Sequence, residues 1–251
     1  MGELTHQTAN LLLASNPKNR TAALILAAGN STRMGEKTSK QFLALDGMPV
    51  LAHTLLAYQR SPLITEIIIA ARESDVDTVV AFCEDYHITK LTAVVKGGKN
   101  RQESALRAFT VIGPDIRYVA IADGARCLTT TTEIEMVCGA AYRKKAASAG
   151  VRITGTVKQV SRSGAVLGTL DRETIWEAQT PQVFHIGLYA AAQSRAANDG
   201  FCGTDDNSLI EHLGYRIQMV ECSKENLKIT TPDDLRLAAA ILASRRKKET
   251  V

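Results

Sequence analysis

Apolar positions along this chain fall into short blocks separated by polar, glycine-bearing stretches, and the blocks are of two kinds. Ala22 to Ala28 is an unbroken apolar run, and Ile64 to Ala71 (ITEIIIAA) is nearly so. Runs of this sort predict strands buried on both faces. Leu91 to Val95 and Tyr118 to Ala122 predict a third and a fourth strand, with others at Ala147 to Ile153 and Tyr215 to Glu221. Between them lie helical patterns. One starts at Met48-Pro49, with Pro49 near the first turn and Val50, Leu51, Leu55 and Leu56 at helical spacing. Others are Ser74 to Phe82, capped by Ser74, a helix opening near Arg101 and running to about Ile112, and Thr131 to Lys145, capped by Thr131 or Thr132. Thr231 caps the last, with Pro232 at its first position, and its end at Arg245, Arg246, Lys247 and Lys248 reads as a solvated terminus favoured by the helix dipole. Strands alternating with helices predict an α/β fold, with a mostly parallel central sheet flanked by helices and right-handed crossovers.

Val157 to Arg172 breaks this rhythm, because it alternates apolar and polar residues around Ser163-Gly164. That is a hairpin pattern with little core of its own. Residues 1–20 read as an appended N-terminal extension, leaving 21–251 as a single domain.

Composition narrows the class. A chain of 251 residues is long enough for one large α/β domain, and 45% hydrophobic with 5% aromatic residues predicts an aliphatic core. A net charge of +4, from 30 basic and 26 acidic residues, suits an anionic small molecule and is too weak to argue for nucleic acid. Cys83, Cys127, Cys138, Cys202 and Cys222 are scattered without a C-x-x-C pair. We therefore expect a reduced cytoplasmic protein with neither a zinc site nor a disulfide frame. No apolar run approaches a membrane span.

The chemistry gathers after the strands. The first run breaks at Gly29, followed by Asn30, Ser31 and Thr32 and then by Arg33, Lys37 and Lys40. A glycine-broken loop with exposed backbone N–H groups and several cations suits a polyphosphate. It is not a Walker A loop, since Gly35-Glu36-Lys37-Thr38 is misspaced, and the dinucleotide G-x-G-x-x-G is absent. Lys96 to Ser104 follows the third strand, and Asp123-Gly124-Ala125-Arg126-Cys127 the fourth. Ligands of parallel sheets sit at these strand ends.

Read as L-x-x-A-A-G-x-S-x-R-M-G followed by S-K-Q-F, the stretch from Leu24 to Phe42 resembles the cytidylyltransferases that activate 2-C-methyl-D-erythritol 4-phosphate. Further motifs recur in the family's order over about residues 21–243: G-G-x-x-R-x-x-S from Gly97 to Ser104, Asp171-Arg172, W-x-x-x-T-P-Q-x-F from Trp176 to Phe184, T-D-[DE] at Thr204, Asp205 and Asp206, and N-x-K-[IV]-T-x-P-x-D-L from Asn226 to Leu235. Trp176 and Phe184 are expected in the core, and Asp205 and Asp206 as first-turn acids. The chain departs from the pattern at Ala122 for His, Gly124 for Ala, Cys127 for Pro and Gly155 for Asp.

The resemblance implies a Rossmann-like nucleotidyltransferase fold with a projecting β-hairpin arm at about 154–172. It implies joining of CTP and the alditol phosphate to give a CDP-alditol and pyrophosphate, in non-mevalonate isoprenoid biosynthesis. By resemblance, Arg33, Lys40, Arg172 and Lys228 are the catalytic cations. Ala27, Ala28, Gly29, Gly98, Arg101, Ser104, Asp123, Arg126, Thr156 and Thr180 bind substrate. Mg²⁺ is expected mainly on the CTP phosphates, with few protein ligands because it keeps its waters. The arm implies a homodimer in which Arg172 and Thr156 reach the neighbour's substrate. A cytidylyltransferase for another alditol phosphate, such as ribitol 5-phosphate, and a non-catalytic nucleotide-binding homologue are the alternatives.

Overall fold

The apolar run at Ala22 forms strand β1, Thr21–Ala27, whose two faces divide between two cores. Ala23, Ile25 and Ala27 enter one, Ala22 and Leu24 the other. A strand covered on both sides has no solvent face to make polar, hence the unbroken run. Each fully buried Leu or Ile contributes about 1.5–3 kcal/mol. The computed structural model describes residues 13–29 and 39–249. The start of the N-terminal extension, Arg33 and Lys37 lie outside them.

After β1 the short strands β2 (Ala44–Leu45) and β3 (Met48–Pro49) pair antiparallel ahead of helix α1 (Val50–Arg60), which begins just past the proline. Then come β4 (Ile64–Ala71), α2 (Val76–Asp85), β5 (Leu91–Lys96), α3 (Arg101–Phe109), β6 (Tyr118–Asp123), α4 (Thr131–Lys144) and β7 (Ala146–Arg152). The strands β8 (Lys158–Val160) and β9 (Val166–Thr169) form a separate antiparallel pair around Gly164, whose φ of +85° suits glycine. Strand β10 (Trp176–His185), helices α5 (Ile186–Asp199) and α6 (Asp206–His212), strand β11 (Gln218–Glu221) and helix α7 (Pro232–Glu249) complete the chain.

Among the described residues, seven strands make the main sheet in the order β11-β7-β10-β6-β1-β4-β5. Only β10 runs antiparallel to its neighbours, β6 and β7. The chain moves outward from β1 to β4 and β5, then returns to lay β6 on the other side of β1. That reversal leaves a crevice at the carboxyl ends of β1 and β6. No helix of the described residues is long and apolar enough to cross a membrane.

Several local expectations are corrected. Ser74 does not cap a helix. A single tight turn at Glu73–Asp75, held by Arg72 Nε on Asp75 Oδ2 at 2.8 Å, comes before α2. The cap of α4 is Thr130, because Glu133 reaches back to its N–H at 2.9 Å and completes a capping box. Trp176 is only half-buried, with the Arg152 guanidinium 4.5 Å from its ring centroid, whereas Phe184 is fully buried.

Candidate active site

The loops that leave β1 and β5 and the end of β6 wall a cleft of about 370 Å³ at the crevice. Gly97 lets two of these loops meet. Its N–H donates to Ala71 O at 2.7 Å, and a Cβ there would stand 2.2 Å from the Ala28 Cβ. Gly98 N–H donates to Ser104 Oγ at 2.9 Å, and Ser104 Oγ donates to Asn100 O at 2.8 Å. Asn100 caps α3 by accepting Glu103 N–H at 2.8 Å. The start of that helix thus fixes the loop, and Ala28, Gly29, Gly98, Arg101 and Ser104 line one cleft.

Lys40 and Lys228 close the same cleft. Gln41 Nε2 donates to Ala27 O at 2.7 Å, tying the segment of Lys40 to the end of β1. Lys40 Nζ donates to Ile229 O at 2.8 Å, which brings it beside Lys228 in space.

Asp123 is the electrostatic centre. Lys228 Nζ lies 2.9 Å from Oδ2, Arg101 Nε 3.4 Å from Oδ1, and Arg126 Nε 3.6 Å from Oδ2. Burial would raise its pKa, but Arg101, Lys228 and Arg126 outweigh that and hold it at about 2. Because the folded value lies below the ordinary 3.8, Asp123 contributes stability above about pH 4 that is lost as pH falls towards 2. The lost contribution is roughly 2 kcal/mol. Urea unfolding between pH 5 and 2 should therefore show a steeper loss for the wild type than for Asp123→Asn, and parallel curves would contradict it.

Thr180 and Ala27 are buried and do not line this cleft. Thr180 Oγ1 accepts Asp123 N–H at 3.1 Å, and Asn226 Nδ2 donates to Thr180 O at 3.0 Å. Arg126 is buried, with Nη1 donating to Asn226 O at 2.6 Å, and it lines a second cleft with Arg152, Thr154, Gly155 and Lys224. Lys228 lines both clefts. Arg172 and Thr156 line neither; Arg172 is exposed, and its Nη1 donates to Thr154 O at 3.3 Å. Arg33 falls outside the described residues.

The departures from the family pattern fit their surroundings. A Cβ at Gly124 would stand 3.1 Å from both Leu26 O and Leu51 Cδ1, so glycine relieves a tight contact. Cys127 fills an apolar pocket with Leu45, Val50 and Leu128, and burial pushes its thiol up to about 12. Ala122 is core. A Cβ at Gly155 would meet nothing within 4 Å.

Sequence reading missed Asn226, Gln41 and the pairing of Arg101 with Asp206, although the motifs contain all four residues. Asp206 does occupy the first turn of α6, but its carboxylate is buried on Arg101. Among the described residues no group of three or more His, Cys, Asp or Glu side chains could hold a metal ion.

The family model described as IspD: 2-C-methyl-D-erythritol 4-phosphate cytidylyltransferase matches residues 21–244. A 2-C-methyl-D-erythritol 4-phosphate cytidylyltransferase of Syntrophus aciditrophicus is 42% identical over 226 residues, 90% of this chain and 97% of the relative. That of Halalkalibacterium halodurans is 39% identical, over 90% of this chain and 99% of its own. The crystal structure of 4-diphosphocytidyl-2C-methyl-D-erythritolsynthase from Anaerococcus prevotii superposes with a TM-score of 0.80 at 27% identity, covering 90% of this chain and 99% of that one.

Proposed function

The chain belongs to the 2-C-methyl-D-erythritol 4-phosphate cytidylyltransferase family, and from that membership we propose how its two clefts divide the work. The enzyme joins CTP and 2-C-methyl-D-erythritol 4-phosphate in isoprenoid biosynthesis. A phosphate oxygen of the alditol attacks the α-phosphorus of CTP, the bond to the bridging oxygen breaks, and pyrophosphate leaves. Such chemistry asks for positioning and charge neutralisation.

The observation that carries the division is that Lys228 lines both clefts. The first cleft, with Ala28, Gly29, Gly98, Arg101 and Ser104, takes CTP. The second, with Arg126, takes the alditol phosphate, so Lys228 stands where the phosphates meet and orients the attacking one. Lys40 and Arg33 stabilise charge on the phosphorus and on the departing pyrophosphate. Mg²⁺ on the triphosphate oxygens would neutralise further charge there. Asp123, ionised and the one carboxylate lining the first cleft among the described residues, is the side chain with the chemistry to touch it.

Arg172 acts in a partner's site. Its own chain brings it to neither cleft, and the β8–β9 hairpin exposes Val166 and Leu167 by 62% and 65%, apolar surface that suits cover by a second copy of this chain. We read the assembly as a homodimer working in the cytoplasm.

Pyrophosphate release tests the reading. CTP should turn over with 2-C-methyl-D-erythritol 4-phosphate well above ATP, GTP or ribitol 5-phosphate. In the same assay Gly155→Asp should lower the alditol KM with kcat nearly unchanged. A restored hydrogen bond in the open space at 155 is worth about 0.5–1.5 kcal/mol, roughly 2- to 13-fold. Binding of CTP without pyrophosphate release from any alditol phosphate would sink the catalytic reading.

A further inference from the structure

Arg101 is gripped from two sides. Its Nε lies 3.4 Å from Asp123 Oδ1, and its Nη1 pairs with Asp206 Oδ2. Asp206 is wholly buried, and a buried carboxylate is costly unless its oxygens are partnered. Its other oxygen accepts from Tyr189 Oη at 2.7 Å, and Tyr189 Oη accepts from Gln193 Nε2 at 2.7 Å. Burial and the Asp206 charge raise the Tyr189 phenol well above its ordinary value, so it keeps its proton and donates it to Asp206. Asp206 N–H in turn donates to Gln182 Oε1 at 3.0 Å. Tyr189 is itself immobilised, with its ring 5.0 Å from Phe109 and stacked 5.8 Å from Phe184.

A fold seldom needs such an ion pair, since apolar residues of similar volume often serve stability as well or better. What the pair supplies is direction. With Nε and Nη1 engaged on two different carboxylates, the plane of the Arg101 guanidinium is set before any ligand arrives. The network ends at the cleft wall and begins in packed interior, so the aim is inherited from the core of α5.

We propose that Asp206, locked by Tyr189 and Gln193, is a positioning residue that aims Arg101 into the nucleotide cleft. Affinity for the nucleotide is then tuned by three buried side chains that touch no substrate. The proposal rests on the assignment of that cleft to CTP.

Tyr189→Phe keeps the ring and removes only the hydroxyl. It should raise the KM for CTP about 3- to 10-fold, the scale of one lost hydrogen bond, with kcat within about twofold. Gln193→Leu should act in the same direction more weakly. Asp206→Asn should act more strongly, and if it fails to fold the other two variants carry the test. In an Arg101→Ala background Tyr189→Phe should add nothing further to KM, because the group it aims is gone. A role in packing alone would lower the melting temperature and leave KM unmoved, or would multiply the Arg101→Ala effect, and either result overturns the proposal. An active wild type with an unmoved Tyr189→Phe variant removes only this positioning role. A wild type that neither binds CTP nor releases pyrophosphate removes the cleft assignment with it.

Discussion

Lys40→Ala is expected to lower kcat by about 10²-fold or more, and Arg33→Ala to do the same. The transferring phosphorus gathers negative charge that the ground state lacks, and a fixed ammonium rewards that difference more than it rewards binding. Lys40 meets the requirement for fixity. Its segment is tied to β1 through Gln41, and its Nζ is held on Ile229 O at 2.8 Å, one residue from Lys228. The loss should therefore appear in kcat, with a smaller change in the KM for CTP. Steady-state pyrophosphate release from both variants decides it. Two variants with near-normal kcat would reduce the cations to binding groups and overturn the mechanism.

The second large effect is a recovery. Arg172→Ala and Lys40→Ala chains should each be nearly inactive alone, yet regain activity when mixed under conditions that exchange subunits. In the mixed dimer one site would carry Lys40 from one chain and Arg172 from the other, while the second site lacks both. Random pairing then returns about a quarter of wild-type activity. The physical ground is the placement of Arg172, exposed and donating to Thr154 O at 3.3 Å, on a segment next to a hairpin whose apolar side chains face water. Mixed dimers that form and stay inactive would put Arg172 in its own chain's site.

How much of this was legible in the sequence depended on where each residue's partners lie along the chain. Strands β1 and β4 were readable because double-sided burial leaves only one kind of residue acceptable, as at Ile67, Ile68 and Ile69. Strand β10 was not read as a strand at all. Gln179, Thr180 and Gln182 are polar and buried, and what satisfies them comes from Asn226, Asp123 and Asp205, far away in sequence. No periodicity reports such pairings. Trp176, expected in the core, differs for a similar reason, since its neighbour in space is the exposed Arg152, 24 positions before it. Motif order named residues that line one cleft, but the grip of Asp206 on Arg101 joins positions 105 residues apart and could be seen only in space.

The three cations around Asp123 also set the charge state of the cleft. Arg101, Arg126 and Lys228 spend the resting state on one buried carboxylate, with Asp206 taking a further share of Arg101. Among the described residues these three cations are thus partnered before any ligand arrives. An anion that took Lys228 from Asp123 would leave the carboxylate short of one counter-charge, with Arg101 and Arg126 still beside it. Asp123 thus keeps three cations gathered at one point of the cleft when no ligand is there to gather them.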